Sequence, residues 1–199
     1  MRKIVFIVWW FIFTFVSFMT IAPPLANAHQ YGAKAVVAVL PAINNSGLRG
    51  GQYTAEMVNE ALAAKFPADR YIVLSGQNLL DKLRMEGVED YSTADSSALL
   101  AAFRAMMVDY SVRAEVLFVV TEQQLDFPNA LILLKRWTAT VPLYMIVADV
   151  NNGTNLYDSV ITESGEHQAL VGFVKQSNAV RRALEKDLQR FGREFWLPE

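Results

Sequence analysis

The stretch AKAVVAVLP, residues 33–41, is apolar on consecutive positions instead of alternating ones, and this constrains the fold more than any other feature of the chain. A strand with one wet face alternates, whereas a continuous β-branched run is buried on both faces and needs a layer on each side of its sheet. Pro41, which has no backbone N–H, ends the run. The turn-rich AINNSGLRGG follows. In GQYTAEMVNEALAAKF, Tyr53, Met57, Val58, Ala61, Leu62 and Phe66 then fall at the spacing of one helix face. RYIVLS predicts a second, short strand, and GQNLLDKLRMEG a brief helix with Leu79, Leu80 and Leu83 inward and Gly87 as its stop. Strands separated by helices in this order lie parallel in one sheet.

The next helix starts near STADSSALL, where Ser92, Thr93 or Asp95 can cap it, and runs through Leu99, Leu100, Phe103, Met106 and Met107. RAEVLFVVTEQQLDF predicts the third core strand. After Pro128 the pattern changes: one strand-like run ends at Val150 and another starts near Leu156, around Asn151-Asn152-Gly153-Thr154. Asn-Gly is an antiparallel hairpin signal, because both residues tolerate positive φ. A long helix closes the chain. Its apolar seam is Leu170, Val174, Val180, Ala183, Leu184, Leu188, Phe191 and Phe195, and Arg181, Arg182, Lys186, Arg190 and Arg193, interleaved with Glu185, Asp187 and Glu194, hold the other side. The expected class is α/β with a mixed sheet: βαβα(α)β, an antiparallel hairpin, and a C-terminal helix.

Ahead of this domain Arg2 and Lys3 precede an uncharged run from Ile4 to Ile21, then Pro23, Pro24 and Ala26-Asn27-Ala28. A positive n-region, an apolar run and small residues at −3 and −1 make a signal peptide, cut between Ala28 and His29. The prolines end the helix and leave an extended stretch for a peptidase. Residues 1–28 are thus the expected leader and 29–199 a single domain, periplasmic or secreted. The alternative is an uncleaved inner-membrane anchor over residues 4–21, since that run nearly spans a core of about 30 Å. Cleavage leaves 16 basic residues against 20 acidic, a net charge of −4 with no basic run, which speaks against nucleic acid. The chain has no cysteine, so thiolate catalysis, zinc thiolate sites and disulfide staples are excluded.

The loop between the first strand and first helix carries Gly47, Arg49, Gly50 and Gly51 and could hold a phosphate or nucleotide-sugar at the helix N-terminus. It lacks both the Lys-Ser/Thr ending of a P-loop and G-x-G-x-x-G, and the preferred reading is a plain turn. Asp149, Asn151 and Asn155 offer oxygens, but the hairpin already explains them. His29 and His167 are the only histidines, too few for a histidine metal site, and His167 reads as a solvated loop or helix-cap residue. Glu86, Glu89 and Asp90, and likewise Glu163 and Glu166, read as solvated carboxylates in polar loops. No catalytic, metal or cofactor set is assigned.

AKAVVAVLPAINNSG, RYIVLSGQNLLDKLRMEG, MMVDYSVRAEVLFVV and YMIVADVNNGTNLYDSVITESGE resemble, in that order, the envelope-protein group of the curli-secretion component CsgG. Similar domains occur in the lipoprotein activator of penicillin-binding proteins, the N-terminal domain of TolB, and the ring-forming PelC, whose size this chain shares. The resemblance implies an α/β sandwich of anticodon-binding-like type, non-enzymatic, acting in the periplasm as an oligomeric or adaptor element with envelope protein partners. Two departures follow. Ala28 stands where relatives carry a lipidated cysteine, so lipid tethering fails. The 171 residues after the leader leave little room for long membrane hairpins, which disfavours a pore.

Overall fold

The structure of the protein, a computed structural model, describes residues 34–47, 52–129, 132–170 and 175–197. The continuous apolar run forms β1 (Ala35–Val39), flanked in parallel by β3 (Tyr71–Ser75) and β4 (Tyr110–Val116). The two crossovers are α1 (Gln52–Lys65), and α2 (Gly76–Met85) followed by α3 (Ser96–Ala105). Past Pro41 the β1 row resumes as the two-residue β2 (Ile43–Asn44), also parallel to β4. The β4 row resumes as β5 (Val120–Asn129), and both pair antiparallel with β6 (Ile132–Asp149). On the far edge of β6 lies β7 (Thr154–Leu170), and α4 (Gln176–Glu194) closes the chain. The sheet thus has five rows: β3, β1 with β2, β4 with β5, β6, and β7. The α/β class and the mixed sheet are as the sequence pattern predicts.

Helix ends follow local chemistry. Asp95, one of the three cap candidates, accepts the Ala98 N–H at 2.8 Å and starts α3. Gly87, at φ 85°, ends α2, where the Val88 N–H reaches the Leu83 carbonyl at 2.9 Å. The same closure ends α3 with Val108 N–H on the Phe103 carbonyl, but there the left-handed residue is Met107, at φ 56°. The Asn151–Gly153 hairpin has Gly153 at φ 67°.

Several boundaries differ from the sequence reading. The third core strand is two strands, with residues 117–119 between them. The hairpin arms are long: β6 has 18 residues and β7 has 17. Alternate β6 residues, Ala139, Val141, Leu143, Met145 and Val147, are fully buried, so the hairpin's apolar side is part of the core. Glu163, Glu166 and His167 lie in β7 and not in loops, as does Leu170, expected in the last helix; Val174 lies outside the described residues. Among the described residues, no helix is long and apolar enough to cross a membrane.

The two faces of the sheet are covered unequally. On one, Val37, Val39, Val112, Ala114, Leu143 and Met145 pack with Val58 and Leu62 of α1 and Val180, Leu184 and Phe191 of α4. On the other, Ala38 and Leu40 pack with Leu79 and Leu83 of α2 and Leu99 and Phe103 of α3, and this second core contains no residue of β5, β6 or β7. Each large side chain so buried contributes about 1.5–3 kcal/mol.

α4 crosses β7 at Gly165, where an added Cβ would run into the Ala179 carbonyl and the Ala183 amide. The β6 residue opposite Gly165 is Ala139, so small residues meet on all sides of the crossing. The ends of α4 are tied as well. The Gln176 side chain donates to Thr121 Oγ1 at 2.8 Å, and Lys65 Nζ of α1 donates to the Phe195 carbonyl at 2.7 Å while lying over the rings of Phe191 and Trp196. Gly165→Ala is expected to cost about 3 kcal/mol or more in urea unfolding, while Met107→Gly, which relieves a left-handed side chain, gains about 1 kcal/mol.

Candidate functional site

α2 and α3 pack on the β1 and β3 side, and on the sheet face away from α4 the rows of β5, β6 and β7 beyond α3 have no helix in the second core among the described residues. This face presents the even-numbered residues of β6 and β7 with the odd ones of β4. Cross-strand rows set Tyr144 against Val160, Thr140 against Ser164, and Arg136 between Gln124 and Gln168. Polar links cross these rows. Tyr144 donates to Asp158 at 2.9 Å, Thr140 and Ser164 hydroxyls are 2.8 Å apart, and Arg136 reaches Asp126 at 3.1 Å. The bond to Asp158, with burial behind it, raises the Tyr144 pKa, and Arg113 opposes this. Apolar surface lies between the polar links: Val120 and Val160 are each about half exposed, at 50% and 49%.

The face ends in a groove against α3. Leu99, Leu100 and Phe103 of the helix form one wall, Ser111, Arg113, Ile146 and Ala148 of the sheet form the floor, and Gly153 and Asn155 close the end. Its volume is about 100 Å³. The buried Nε of Arg113 has no hydrogen-bond partner.

The outer edge of β7 is a poorer docking template. Arg182 donates to the Glu166 carbonyl at 2.7 Å and Lys186 to the Ser164 carbonyl at 2.6 Å, so side chains of α4 occupy acceptors that an added strand would use. Arg190 pairs with Glu194 at 2.7 Å and approaches Glu163 at 3.5 Å, and Arg181 lies 3.9 Å from Glu185. The basic side of the last helix is therefore engaged within the chain, as its interleaved charges suggest.

Under α4 lies a carboxyl that the sequence reading placed on the polar side. Asp187 is fully buried, and neither oxygen has a partner in hydrogen-bonding geometry. Burial pushes its pKa up to about 8; the nearby Glu163 carboxylate adds to the rise, and the Glu163 backbone and Arg190 oppose it. It occupies the seam one turn from Leu184 and Phe191, so helical spacing marks the position as inward even though the residue type does not.

The residues singled out from sequence do not converge. Gly47 turns the chain at φ 68°, while Arg49, Gly50 and Gly51 of the anion loop lie outside the described residues, as do Ala26, Ala28 and His29 of the cleavage site. His167, half-buried in β7, has Nε2 3.1 Å from the Asn178 amide of α4, which replaces the solvated-loop reading. Asp90 accepts from Ser92 and Asp149 from Asn152, both closing turns. No group of three or more possible metal ligands occurs among the described residues.

No protein-family model matches the sequence, and no curated protein does. Among solved structures the chain is similar to the lipoprotein GNA1162 from Neisseria meningitidis, at 13% identity and TM-score 0.45, covering 80% of this chain and 99% of that one. It is similar to the LpoB C-terminal domain from Escherichia coli, at 16% and 0.42, covering 65% and 82%. A third is the PelC dodecamer from Paraburkholderia phytofirmans, at 13% and 0.36, covering 78% and 87%. At such scores no residue correspondence carries over, and function has to come from this chain's own geometry.

Asp187 sets a pH dependence. Its folded pKa is above the unfolded value of 3.8, so the folded state holds a proton that the unfolded chain loses, and stability falls as pH rises from about 4 to about 8. The slope approaches 1.4 kcal/mol per pH unit, and in chemical denaturation across that range Asp187→Asn is expected to remove it. An unchanged slope in the variant would show that the carboxyl is ionised and solvated in the folded protein.

Proposed function

We propose that this is an exported, non-catalytic domain that takes part in assembly, transport or regulation of a cell-envelope complex through protein–protein contacts, with the helix-free face of β5, β6 and β7 as the contact surface. The observation that carries the reading is the unequal covering of the sheet, since one face is sealed by α1 and α4 while the helix cover of the other ends at α3 with Val120 and Val160 exposed beyond it. A leader of the form read at residues 1–28 supports export, and the chain's lack of cysteine leaves no thiol for lipid attachment at its boundary. The choice of the face over the β7 edge follows from Arg182 and Lys186, which occupy that edge's carbonyls.

A photo-crosslinking amino acid placed at Val160 in the exported protein is expected to give one discrete protein adduct in intact cells. The same group at Glu60, exposed on α1, should give none. Equal labelling at both positions, or none at either, would refute the face as the contact surface.

A further inference from the structure

In the groove at α3 the Nε of Arg113 is buried without a hydrogen-bond partner. Arg113 stands opposite Ile146, and Ile146 opposite Asp158, so the acid in its own row is two strands away. At about 4.8 Å per strand the two backbones are roughly 10 Å apart. Asp158 is also engaged, accepting from Tyr144 at 2.9 Å and from Asn155 at 2.8 Å. Glu115, two residues along β4, accepts from Asn45, and the Tyr91 hydroxyl donates to the Pro41 carbonyl at 3.1 Å. By contrast Arg84, Arg104, Arg136, Arg182 and Arg190 each hold a carboxylate or a carbonyl. A buried guanidinium donor without a partner costs about 1–3 kcal/mol, and a carboxylate meets its fork with two parallel bonds.

The walls define the rest of the ligand. Leu99, Leu100, Phe103 and Ile146 are apolar, and a volume of about 100 Å³ holds one side chain. Cofactor-sized molecules occupy about 300–1,000 Å³. We propose that the groove receives an acidic, apolar segment of a partner polypeptide, whose carboxylate pairs with Arg113 while the adjacent aliphatic or aromatic side chain packs on Leu99, Phe103 and Ile146. This rests on the reading of the open face as a contact surface and names the chemistry of what docks there.

The test is a titration of the ¹⁵N-labelled domain, followed by NMR, with three probes: acetyl-Phe-Glu-Leu-amide, its Gln counterpart and octanoate. The acidic peptide is expected to shift the amides of Phe103, Ser111, Arg113 and Ile146, binding about tenfold more tightly than the Gln peptide. Arg113→Gln should abolish that preference without lowering the unfolding midpoint, since it removes a buried donor that has no partner. Equal binding of the two peptides, shifts confined to other residues, or no binding would overturn the proposal. Octanoate binding at the same residues as tightly as the acidic peptide would overturn the polypeptide occupant. Crosslinking from Val160 in the Arg113→Gln background separates the two ideas: an adduct that persists while peptide binding fails removes the groove proposal and leaves the contact face standing.

Discussion

The close crossing of α4 over β7 at Gly165 is the contact on which the arrangement depends. Only a residue without a Cβ lets the Ala179–Ala183 stretch of the helix approach the strand so nearly, and that approach brings Val180, Leu184 and Phe191 down onto Leu143, Met145 and Ile161. The long hairpin thereby acquires a dry face. Without that cover, alternating residues from Ala139 to Val147 would be exposed in the middle of an 18-residue strand. The same closeness leaves Asp187 with no route to water, so a carboxyl inside the seam makes the helix's docking sensitive to pH.

One face sealed means one face left over. Two helices serve the α2 and α3 side and cover only the rows of β1 and β3 with the start of β4, because the crossovers that carry them connect those rows. β5, β6 and β7 are joined by antiparallel turns, which bring no helix to their outer side. Polar links cross that face, Tyr144 to Asp158 and Arg136 to Asp126, and Val160 and Val120 keep it partly apolar. Basic residues of α4 blunt the β7 edge.

The sequence made the parallel half legible. A continuous valine-rich run ended by Pro41 reads as a doubly covered strand, Asp95 and Gly87 sit where helix ends need them, and Asn151–Gly153 makes a hairpin by its backbone tolerance. The length of β6 was hidden by Pro142, which within a run argues against a central strand. In the fold Pro142 falls where the row passes from β4 to β5, its carbonyl accepts from Leu117 at 3.1 Å, and no ladder bond is asked of its missing N–H. Glu163 and His167 were read as loop residues because the strand beneath α4 alternates polar with small side chains instead of apolar ones. Asp187 was hidden by residue type, although its spacing matched the seam. The groove at Arg113 could not be read from sequence, since it joins α3 to three strands distant in the chain.

The chain's lack of cysteine permits a direct measurement of which face is used. Single cysteines introduced at Tyr144, Thr162, Val141 and Leu143 can be reacted with a maleimide in the purified domain and again in intact envelopes. In the purified domain the cysteines at 144 and 162 should react and those at 141 and 143 should be protected, while in envelopes the first pair should become protected as well. Reactivity at 144 and 162 that is the same in envelopes as in the purified domain would contradict the use of this face as a contact surface.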